Sequence, residues 1–474
     1  MSISQALRPS QPDRAALVGP TGESLTTGQL AQLAARLVGL RGPGAVLALW
    51  TSDRLAQGAL LAAGLMAGCV ICPIDPKASP GSVLRLLEHA RADLLITDEE
   101  LLEGLQEPTT LTASALMAGL PSTLPTLPTG GQGGLLVYTS GSTGEPKGVL
   151  LNEALLAANV CFAIDHFGHH AGSVSGSVMP LFHTFSIISD LLALLVCGGQ
   201  VVIAEGFAPT QLGAASRAFE EHGVQTYSGV PLIFDLMLAL RFPLPNTLRF
   251  AISGAAPLGE RTRLRYSTRY GHPILPCYGL TESVCFATAS RPDAIRPGMV
   301  GQAAGIELRV VDDAGAPLPP GQDGEVALRG PSVLADGYYR DPSRTAFTEG
   351  WFLTGDIGRL DADGFLQITG RKKNMLIRGG EKVYLEDVER CLERHALVAE
   401  ACAVRLGTRA HRDEAVAFVV PKGPVSPQDL AAFVVDIMGP LARLDDVVLV
   451  GSLPRSGSGK PLRAVLLASY RPER

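Results

Sequence analysis

The sequence predicts an α/β protein with a large N-terminal domain of parallel-type α/β sheets, which includes a β-barrel-like subdomain, and a small α+β C-terminal domain. Three observations predict this fold class. Apolar strand-like runs alternate with helical periods as far as about Ala294. Short strands and turns then follow without a helical period as far as Arg371. The pattern is mixed from there to the C-terminus, so the predicted domains are 1–371 and 372–474.

The composition is typical of a globular protein. Of 474 residues, 46% are hydrophobic and 18% are charged, and the net charge of −6 argues against a nucleic-acid partner. Met1–Asp13 is polar, and Asp190 interrupts the most apolar stretch, Ser186–Ala204, before it reaches membrane-spanning length. Cys69 and Cys72 lie in an apolar run and are predicted to be buried hydrophobes rather than a redox pair. We therefore expect a cytoplasmic protein with no transmembrane segment.

The first elements predict a βαβ unit. Thr26 or Thr27 can cap a helix whose apolar face is Leu30, Leu33, Leu37 and Leu40. After it come a strand at Ala45–Trp50, a helix at Ser52–Gly68, a strand at Val70–Ile74, a helix at Ser82–Arg91, a strand at Leu94–Thr97 and a loop at Pro108–Gly134. Strands joined by such a crossover are expected to be parallel, with helices covering the sheet.

The alternation resumes further along the chain. The predicted strands are Leu135–Tyr138, Val201–Ala204, Val224–Val230, Leu248–Gly254 and Ile274–Tyr278, and the predicted helices are Gln211–His222, Pro231–Leu240 and Leu258–Tyr270. Ligands of open α/β sheets bind beyond the carboxyl ends of the strands. We therefore expect a site formed by Ser253–Pro257, Tyr278–Ser283 and the loop after Tyr138.

The remaining elements belong to the subdomain and to the C-terminal domain. Strands are predicted at Ile306–Val311, Gly324–Arg329, Trp351–Leu353 and Phe365–Thr369, with a Gly-Asp loop between the last two. The C-terminal domain is predicted to contain helices at Leu385–Arg394, Pro427–Ile437 and Arg463–Tyr470 and strands at Ala401–Arg405, Ala415–Val420 and Val447–Val450.

The segment after Tyr138 has the composition of an anion-binding loop. Its hydroxyl residues and glycines are Thr139, Ser140, Gly141, Ser142, Thr143 and Gly144. Converging backbone N–H groups and hydroxyl donors suit phosphate oxygens, and Lys147 adds a point charge. The segment is not a Walker P-loop, since Pro146 and Gly148 flank the lysine. The alternative is an ordinary surface turn.

Four further motifs follow this loop in order. They are Tyr278–Ser283, Gly350–Asp356, Gly370–Lys373 and Pro454–Lys460. Together the five motifs resemble the signature set of the adenylate-forming (AMP-binding) superfamily of acyl-CoA synthetases, adenylation domains and luciferases. The resemblance extends from Ala67 through Pro73–Pro76 to Lys460 and is closest to the fatty and aryl acyl-CoA ligases.

The resemblance implies a two-step reaction and its cofactors. A carboxylic acid attacks the α-phosphate of ATP to give acyl-AMP and pyrophosphate, and a thiol then takes the acyl group. The expected cofactors are ATP, Mg²⁺ and CoA, or the phosphopantetheine of an acyl or peptidyl carrier protein in place of CoA. Attack of one anion on another requires neutralisation of charge, which suits Mg²⁺ and lysines.

The resemblance also implies roles for residues of the large domain. Glu282 corresponds to the Mg²⁺ ligand and Thr281 to a contact of the α-phosphate, while Tyr278, followed by Gly279, lies against the adenine. Space beside the base is expected at Gly254, Ala255 and Ala256. The alternative for Glu282 is a solvated carboxylate at the end of a strand.

Near the C-terminus the resemblance implies nucleotide, catalytic and hinge residues. Asp356 and Arg371 would hold the ribose, although they could instead be a turn residue and a surface charge. Lys460 would bridge the carboxylate and the α-phosphate, and Lys373 would be the hinge about which a mobile small domain swings. The alternative for Lys373 is one member of a solvated Arg-Lys-Lys run.

The acid is expected to be an acyl or aryl acid rather than an amino acid. Amino-acid-activating relatives hold the α-ammonium with an Asp in a Phe-Asp motif, and in this chain His183 follows Phe182 instead. His183 would gate the acyl tunnel or be a core histidine. The other pocket candidates are Tyr227, Ser228, Gly229, Val230, Pro231 and Ser253, with Gly254 and Ala256. Leu385 stands where the family often has Pro, which leaves the thiol acceptor open.

The sequence thus predicts an acid-thiol ligase, with CoA preferred as the acceptor. The first alternative is a free-standing adenylation enzyme that loads a carrier protein. The second is a catalytically inactive nucleotide-binding regulatory protein, which the presence of Glu282 and Lys460 argues against.

Overall fold

A computed structural model describes most of the chain, in residues 2–8, 11–98, 110–121, 124–127, 133–140, 146–341, 347–378, 381–409, 412–455 and 460–471. The chain divides into two compact units. The first unit is Met1–Glu307 with Leu328–Phe352, and the second is Leu308–Ala327 with Leu353–Arg474.

The helices of the described residues are numbered in chain order. They are α1 (Ile3–Ala6), α2 (Thr27–Arg41), α3 (Arg54–Met66), α4 (Pro80–Ala90), α5 (Ala113–Met117), α6 (Glu153–Phe167), α7 (Thr184–Ser186), α8 (Ala193–Cys197), α9 (Pro209–Glu221), α10 (Pro231–Leu240), α11 (Glu260–Tyr270), α12 (Leu385–Glu393), α13 (Pro427–Met438) and α14 (Arg463–Ser469). A π-helix, Ile187–Leu192, lies between α7 and α8, and 3₁₀ turns occur at Thr281–Ser283, Lys372–Asn374 and Pro440–Ala442.

The strands are numbered in the same way. Those up to residue 203 are β1 (Ala15–Val18), β2 (Ser24–Thr26), β3 (Val46–Trp50), β4 (Val70–Pro73), β5 (Leu94–Thr97), β6 (Thr110–Thr112), β7 (Gly134–Ser140), β8 (Pro146–Asn152), β9 (Val174–Ser177) and β10 (Gln200–Ile203). The next are β11 (Thr226–Gly229), β12 (Phe250–Ser253), β13 (Ile274–Tyr278), β14 (Thr288–Ala289), β15 (Gln302–Ala303), β16 (Glu307–Val311), β17 (Gly324–Arg329) and β18 (Phe347–Thr348). The last are β19 (Trp351–Leu360), β20 (Leu366–Arg371), β21 (Met375–Arg378), β22 (Glu381–Tyr384), β23 (Val398–Arg409), β24 (Arg412–Pro421) and β25 (Asp446–Leu449).

Two largely parallel sheets form the first unit, as the sequence predicts. One has the order β15-β14-β13-β12-β11-β9-β10-β1-β2 and the other β6-β5-β3-β4-β7-β8. In the first sheet, every pair of neighbouring strands from β13 to β1 is parallel. In the second sheet β7 and β8 form an antiparallel hairpin, while the other pairs are parallel. The carboxyl ends of β11, β12 and β13 therefore meet at one edge.

Local sequence signals account for the first helices. The Thr26 hydroxyl accepts a hydrogen bond from the Gln29 backbone N–H (3.2 Å), and Gln29 Oε1 accepts one from the Thr26 N–H (2.8 Å), so α2 begins with a capping box. Of the predicted apolar face, Leu30, Leu33 and Leu37 are buried. The prediction is wrong for Leu40, which is 43% exposed, because it lies in the last turn of α2.

The βαβ unit at the centre of the second sheet is confirmed. Strands β3 and β4 are parallel, and every residue of α3 from Leu55 to Met66 is buried. A helix that is buried all round belongs to a core rather than a surface. Cys69 and Cys72 are buried, as predicted, and burial raises the pKa of both thiols to about 12.

Of two stretches that the sequence singled out, the predicted loop differs from its prediction and the apolar stretch agrees with it. The stretch predicted as a loop at Pro108–Gly134 contains β6 and α5, and the Thr112 hydroxyl accepts a hydrogen bond from the Ala115 N–H at the start of α5. The stretch Ser186–Ala204 contains the π-helix, α8 and β10. Among the described residues, no helix has both the length and the apolar character that are needed to cross a membrane.

Strand β19 corrects the prediction of a Gly-Asp loop. It is continuous over Trp351–Leu360, and Gly355 takes its place in the strand at φ +71°. Pairing with β20 puts Asp356 opposite Arg371. The hairpin-rich segment as a whole has the strand order β16-β17-β19-β18, with β20 beside β19.

The rest of the second unit is the predicted α+β pattern. Strands β23, β24 and β25 form a sheet in that order, with β24 and β25 parallel. Helices α12 and α13 pack on it through a cluster of buried apolar side chains that includes Leu385, Val388, Leu430 and Val434. The hairpin of β21 and β22 was not predicted, and α14 confirms the expected last helix.

Candidate active site

The predicted phosphate loop connects two strands of a hairpin. Thr139 and Ser140 were predicted to lie in the loop, but both lie in β7, where Thr139 is opposite Lys147 in β8. The strand continues because cross-strand pairing extends as far as Ser140 and Pro146. Gly141, Ser142, Thr143 and Gly144 lie outside the described residues. The hairpin places Lys147, which is half-buried, at the end of β8 that is nearest the connection.

The motif after β13 is a tight reversal of the chain. The Ala287 N–H donates to the Tyr278 carbonyl (2.9 Å), and a Cβ at position 279 would lie 1.6 Å from the Cys285 carbonyl oxygen, so only glycine fits there. Thr281 and Glu282 lie in the 3₁₀ turn inside the reversal. Val284 follows at φ +63°, an unfavourable conformation for a β-branched residue. The surrounding contacts therefore fix the backbone at Glu282.

A buried asparagine that sequence analysis missed fastens this reversal to α6. Asn159 is fully buried, and its side chain accepts from the Phe286 N–H (3.0 Å) and donates to the Phe286 carbonyl (2.9 Å). It also donates to the Ser283 carbonyl at 3.5 Å. No local pattern around Asn159 reveals these contacts, because the partners are far apart in sequence.

Glu282 and Lys147 both meet Tyr338, a residue that the sequence analysis did not select. The Tyr338 hydroxyl donates to Glu282 Oε1 at 2.7 Å, and Lys147 Nζ lies 4.8 Å from the centroid of the Tyr338 ring. Burial and the negative charge of Glu282 raise the pKa of the Tyr338 phenol, which therefore remains a donor.

These residues fit Mg²⁺ held largely by phosphates and water. Within the described ranges, no group of three or more His, Cys, Asp or Glu side chains forms a cage for a metal ion. Mg²⁺ at nucleotide sites typically keeps several waters and uses one or two protein carboxylates. Glu282, whose backbone and carboxylate are both held, suits that role.

The end of β12 contains a second strained residue. Ala255 has φ +65°, which is left-handed and unfavourable for a residue with a Cβ. Beside it, a Cβ on Gly254 would meet the Phe185 ring at 3.0 Å and Cys277 Sγ at 2.9 Å. The Phe185 ring thus fills the space that Gly254 leaves. Ala256 is exposed.

The predicted pocket residues on β11 face opposite sides of the sheet. Tyr227 is fully buried, and its hydroxyl pairs with that of Tyr266 (2.7 Å) in the core that α10 and α11 cover. The Ser228 hydroxyl instead donates to Ser189 in the π-helix (2.9 Å). Side chains alternate along a strand, so these two residues do not line the same wall. Tyr227 is a core residue, which corrects its prediction as a pocket residue.

The remaining pocket candidates lie along the same strand ends. Gly229 ends β11, and its carbonyl accepts from the Gly254 N–H at 3.3 Å. Val230 and Ser253 are buried. His183 immediately precedes α7, with its ring centroid 4.4 Å from that of Phe182.

The π-helix points a carboxyl group into the interior beside Ser228. Asp190 is 1% exposed, and its Oδ1 accepts from the Ser189 hydroxyl at 3.1 Å. Arg54 lies close enough to interact electrostatically with it, and the Arg54 guanidinium donates to the Val178 carbonyl at 3.0 Å. Burial raises the pKa of Asp190 to about 7 despite these partners.

In the second unit, four residues that the sequence selected come together. Arg371 Nε lies 2.8 Å from Asp356 Oδ1, and the Asp356 side chain is only 3% exposed. Lys460 as a whole residue is exposed, yet the surroundings of its ammonium lower its pKa, first by burial and then by repulsion from Arg371 and Lys373. Asp356 opposes that shift. Three cations therefore gather round one buried carboxylate.

Lys373 and its neighbour Lys372 differ in their surroundings. Burial lowers the pKa of Lys373, as do the charges of Arg371 and Arg463. Lys372 instead forms an ion pair with Glu325 at 2.8 Å, which raises its pKa. Both lysines are exposed residues, so a solvated Arg-Lys-Lys run stays open as the alternative, and the hinge role of Lys373 stays a prediction.

An ion pair that sequence analysis missed anchors the segment that contains Lys460. Arg463 begins α14 and lies 2.6 Å from Glu389 Oε1 on α12. Glu389 also accepts from the Ala403 N–H at 2.7 Å, and burial raises its pKa to about 7. The pair joins three elements of the second unit and fixes where the chain after Lys460 begins its last helix.

Family comparison agrees with this arrangement. The model of the AMP-binding enzyme family matches residues 5–339, and the model of the AMP-binding enzyme C-terminal domain matches residues 387–460. The chain belongs to the AMP-binding enzyme family, as its five motifs predict.

Relatives and solved structures match the chain over nearly its whole length. Sulfoacetate–CoA ligase of Cupriavidus necator is 34% identical over 98% of this chain and 96% of its own. Oxalate–CoA ligase of Arabidopsis thaliana is 28% identical over 97% and 96%. The crystal structure of ATP-bound MatB from Rhodopseudomonas palustris superposes with a TM-score of 0.89 at 25% identity, covering 99% of both chains. The predicted fold class is confirmed.

Proposed function

We propose that this protein is an AMP-forming acid–CoA ligase that activates a short carboxylic acid as acyl-AMP and then transfers the acyl group to CoA. The observation that supports the proposal most is the gathering of Arg371 and Lys460 at Asp356. Lys460 is about a hundred positions from Asp356 in the sequence, and three cations about one carboxylate suit a shared ligand of high negative charge.

The first step is attack of the substrate carboxylate on the α-phosphate of ATP, with pyrophosphate leaving. Lys147 and Thr139 bind the outgoing phosphates, and Asp356 with Arg371 holds the ribose. Tyr278 lies against the adenine. Glu282 holds Mg²⁺, which supplies neutralisation of the phosphate charge when it is bound.

Lys460 then stabilises the transition state of adenylation by lying between the two reacting anions. Its lowered pKa arises from burial and nearby cations, so the free enzyme keeps it poised for an anionic ligand. In the second step the CoA thiol attacks the acyl carbonyl, and AMP leaves. We propose that the chain 372–474 swings about Lys373 between the two steps, with residues 1–371 as the larger domain.

The acid proposed is a short one without an α-ammonium group. No Asp follows Phe182, and the Phe185 ring fills the space over Gly254 at the end of β12. Of the relatives that match nearly the whole chain, two are named for the short acids sulfoacetate and oxalate and a 30% identical one of Oryza sativa for the aryl acid 4-coumarate, and all three names specify CoA as the acceptor. These points support a short acid and CoA over a long acyl chain or a carrier protein.

Carboxylate-dependent exchange between ATP and pyrophosphate tests the proposal. The panel contains short acids, aryl acids, fatty acids of increasing length and amino acids, each with Mg²⁺. We expect the fastest exchange with a short acid and a thioester only after CoA is added. Exchange without CoA turnover would favour a carrier-protein acceptor, and no exchange with any acid would contradict the proposal.

A further inference from the structure

Tyr338 lies between two oppositely charged residues that the proposed reaction requires. Its hydroxyl donates to Glu282 Oε1 (2.7 Å), while its ring face receives Lys147 Nζ at 4.8 Å from the centroid. Tyr338 is 9% exposed, so its side chain is held in the interior while it makes both contacts. One buried side chain thus contacts both charges by two different chemical means.

Backbone contacts fix the segment that holds Tyr338 against both partners. The Leu334 N–H donates to the Glu282 carbonyl at 2.7 Å, and the Tyr339 N–H donates to the Gly148 carbonyl at 2.7 Å, next to Lys147. A Cβ on Gly148 would lie 3.2 Å from Tyr339 Cβ, so the segment packs closely on β8. Tyr338 therefore has a defined position relative to Glu282 and to Lys147.

The arrangement keeps the carboxylate and the ammonium from neutralising each other. Glu282 and Lys147, both within the described part of the chain, form no ion pair with one another. A phenol satisfies a carboxylate by donating a hydrogen bond without removing its charge. The negative face of an aromatic ring attracts an ammonium and leaves its N–H donors available on the other side.

We propose that Tyr338 is a positioning residue that separates Glu282 from Lys147, so that the first can bind the metal ion of MgATP and the second its phosphates. This inference rests on the proposed function, because it takes Glu282 and Lys147 as the Mg²⁺ and phosphate ligands. It adds a residue outside the five motifs, and it assigns separate tasks to the hydroxyl and the ring.

Two substitutions separate these tasks. Tyr338→Phe removes the hydroxyl and keeps the ring, whereas Tyr338→Leu removes both. Tyr339→Phe is the matched control, because its hydroxyl donates to the Ala90 carbonyl (3.3 Å) and its ring is retained. Calorimetric binding of ATP at a series of Mg²⁺ concentrations is the readout, together with the melting temperature of each ligand-free variant.

We expect Tyr338→Phe to raise the Mg²⁺ concentration that half-saturates ATP binding about tenfold, as loss of a hydrogen bond to a charged group allows. Metal-free ATP binding should stay unchanged in that variant and should weaken in Tyr338→Leu. Tyr339→Phe should match the wild type. In a Glu282→Gln background, Tyr338→Phe should have no further effect on the Mg²⁺ dependence, because its action passes through that carboxylate.

Several results would overturn the inference. A normal Mg²⁺ dependence in Tyr338→Phe would do so, as would an equal loss in the Glu282→Gln background or a lowered melting temperature as the sole change. Failure of the proposed function is distinguishable from these, because wild-type protein would then bind MgATP without carboxylate-dependent ATP–pyrophosphate exchange, or would bind no MgATP at all. That last result would overturn both the proposed function and this inference.

Discussion

The two units use different means to hold the residues that the proposed reaction needs. In the first, backbone geometry places Glu282, through a reversal that only Gly279 permits and a strained Val284. In the second, strand pairing puts Arg371 opposite Asp356, and the charges of long side chains bring Lys460 to the same carboxylate. The position of Glu282 thus depends on the backbone path, and the position of Lys460 depends on attraction and repulsion among charged side chains.

This difference predicts different responses to substitution. Substitutions that disturb a fixed backbone or buried groups should lower the free energy of unfolding. Substitutions in a cluster of mutually repelling cations should instead change ligand affinity and reaction rate. The repulsion among those cations costs free energy in the ligand-free protein and is relieved when an anion binds. Four substitutions test that contrast, from the largest expected effect to the smallest.

Lys460→Ala should show the largest effect, on rate alone. We expect ATP–pyrophosphate exchange to fall about 10³-fold, which equals about 4 kcal/mol of transition-state stabilisation, with little change in ATP affinity. Exchange kinetics and calorimetric ATP binding measure the two quantities. Lys422→Ala, at a position of the same unit remote in sequence from the motifs, is the control and should behave as wild type. Loss of ATP affinity equal to the loss of rate would argue against a transition-state role.

Asp190→Asn should change the pH dependence of stability. The folded pKa of Asp190 is raised to about 7 from 3.8, so the unfolded state ionises first as the pH rises. Wild-type stability should therefore fall between about pH 4 and pH 7 relative to the variant, by about 4 kcal/mol. Chemical denaturation at a series of pH values measures the difference.

The control for that measurement is Asp165→Asn, because Asp165 is exposed on α6. Its stability difference from wild type should be flat over the same range. A flat difference for Asp190→Asn as well would mean that Arg54 keeps the carboxylate ionised in the folded state.

Asp356→Asn should weaken ATP binding about 30-fold. The change removes one charged acceptor of the ribose and leaves Arg371, Lys373 and Lys460 without their shared carboxylate. Calorimetric binding measures it, with exposed Asp436→Asn on α13 as the control. An unchanged ATP affinity would show that the pair with Arg371 is structural.

Ala255→Gly should produce the smallest effect, a gain of about 1 kcal/mol in stability. Glycine has no Cβ to strain at φ +65°, which outweighs its greater freedom in the unfolded chain. Ala256→Gly, at the next position, has no such strain to relieve and should lower stability by up to about 1 kcal/mol. Thermal unfolding measures both, and a loss in Ala255→Gly would show that strain is absent.

The sequence predicted the residues of the candidate site better than the residues that hold them in place. The resemblance of the five motifs to the AMP-binding family selected Glu282, Asp356, Arg371 and Lys460, and apolar periodicity located β13 and α10 at the bounds that the structure has. It misplaced Thr139 and Asp356 in loops, because cross-strand pairing extends β7 and β19 past the last apolar residue.

The supporting residues had no local signal. Asn159 bonds to a segment 127 positions away, and Tyr338 contacts Glu282 across 56 positions. Arg463 and Glu389 are 74 positions apart. Such contacts depend on how helices and sheets pack, which local periodicity and turn chemistry do not encode.

Identifying the nucleotide product in the presence and absence of CoA tests the central claim most directly. Purified protein is incubated with Mg²⁺, ATP and the best acid from the exchange panel, and the products are separated and identified by mass spectrometry. The account predicts acyl-AMP and pyrophosphate without CoA, and acyl-CoA with an equal amount of AMP once CoA is added. ADP and inorganic phosphate as the products, or acyl-AMP that CoA never consumes, would contradict it.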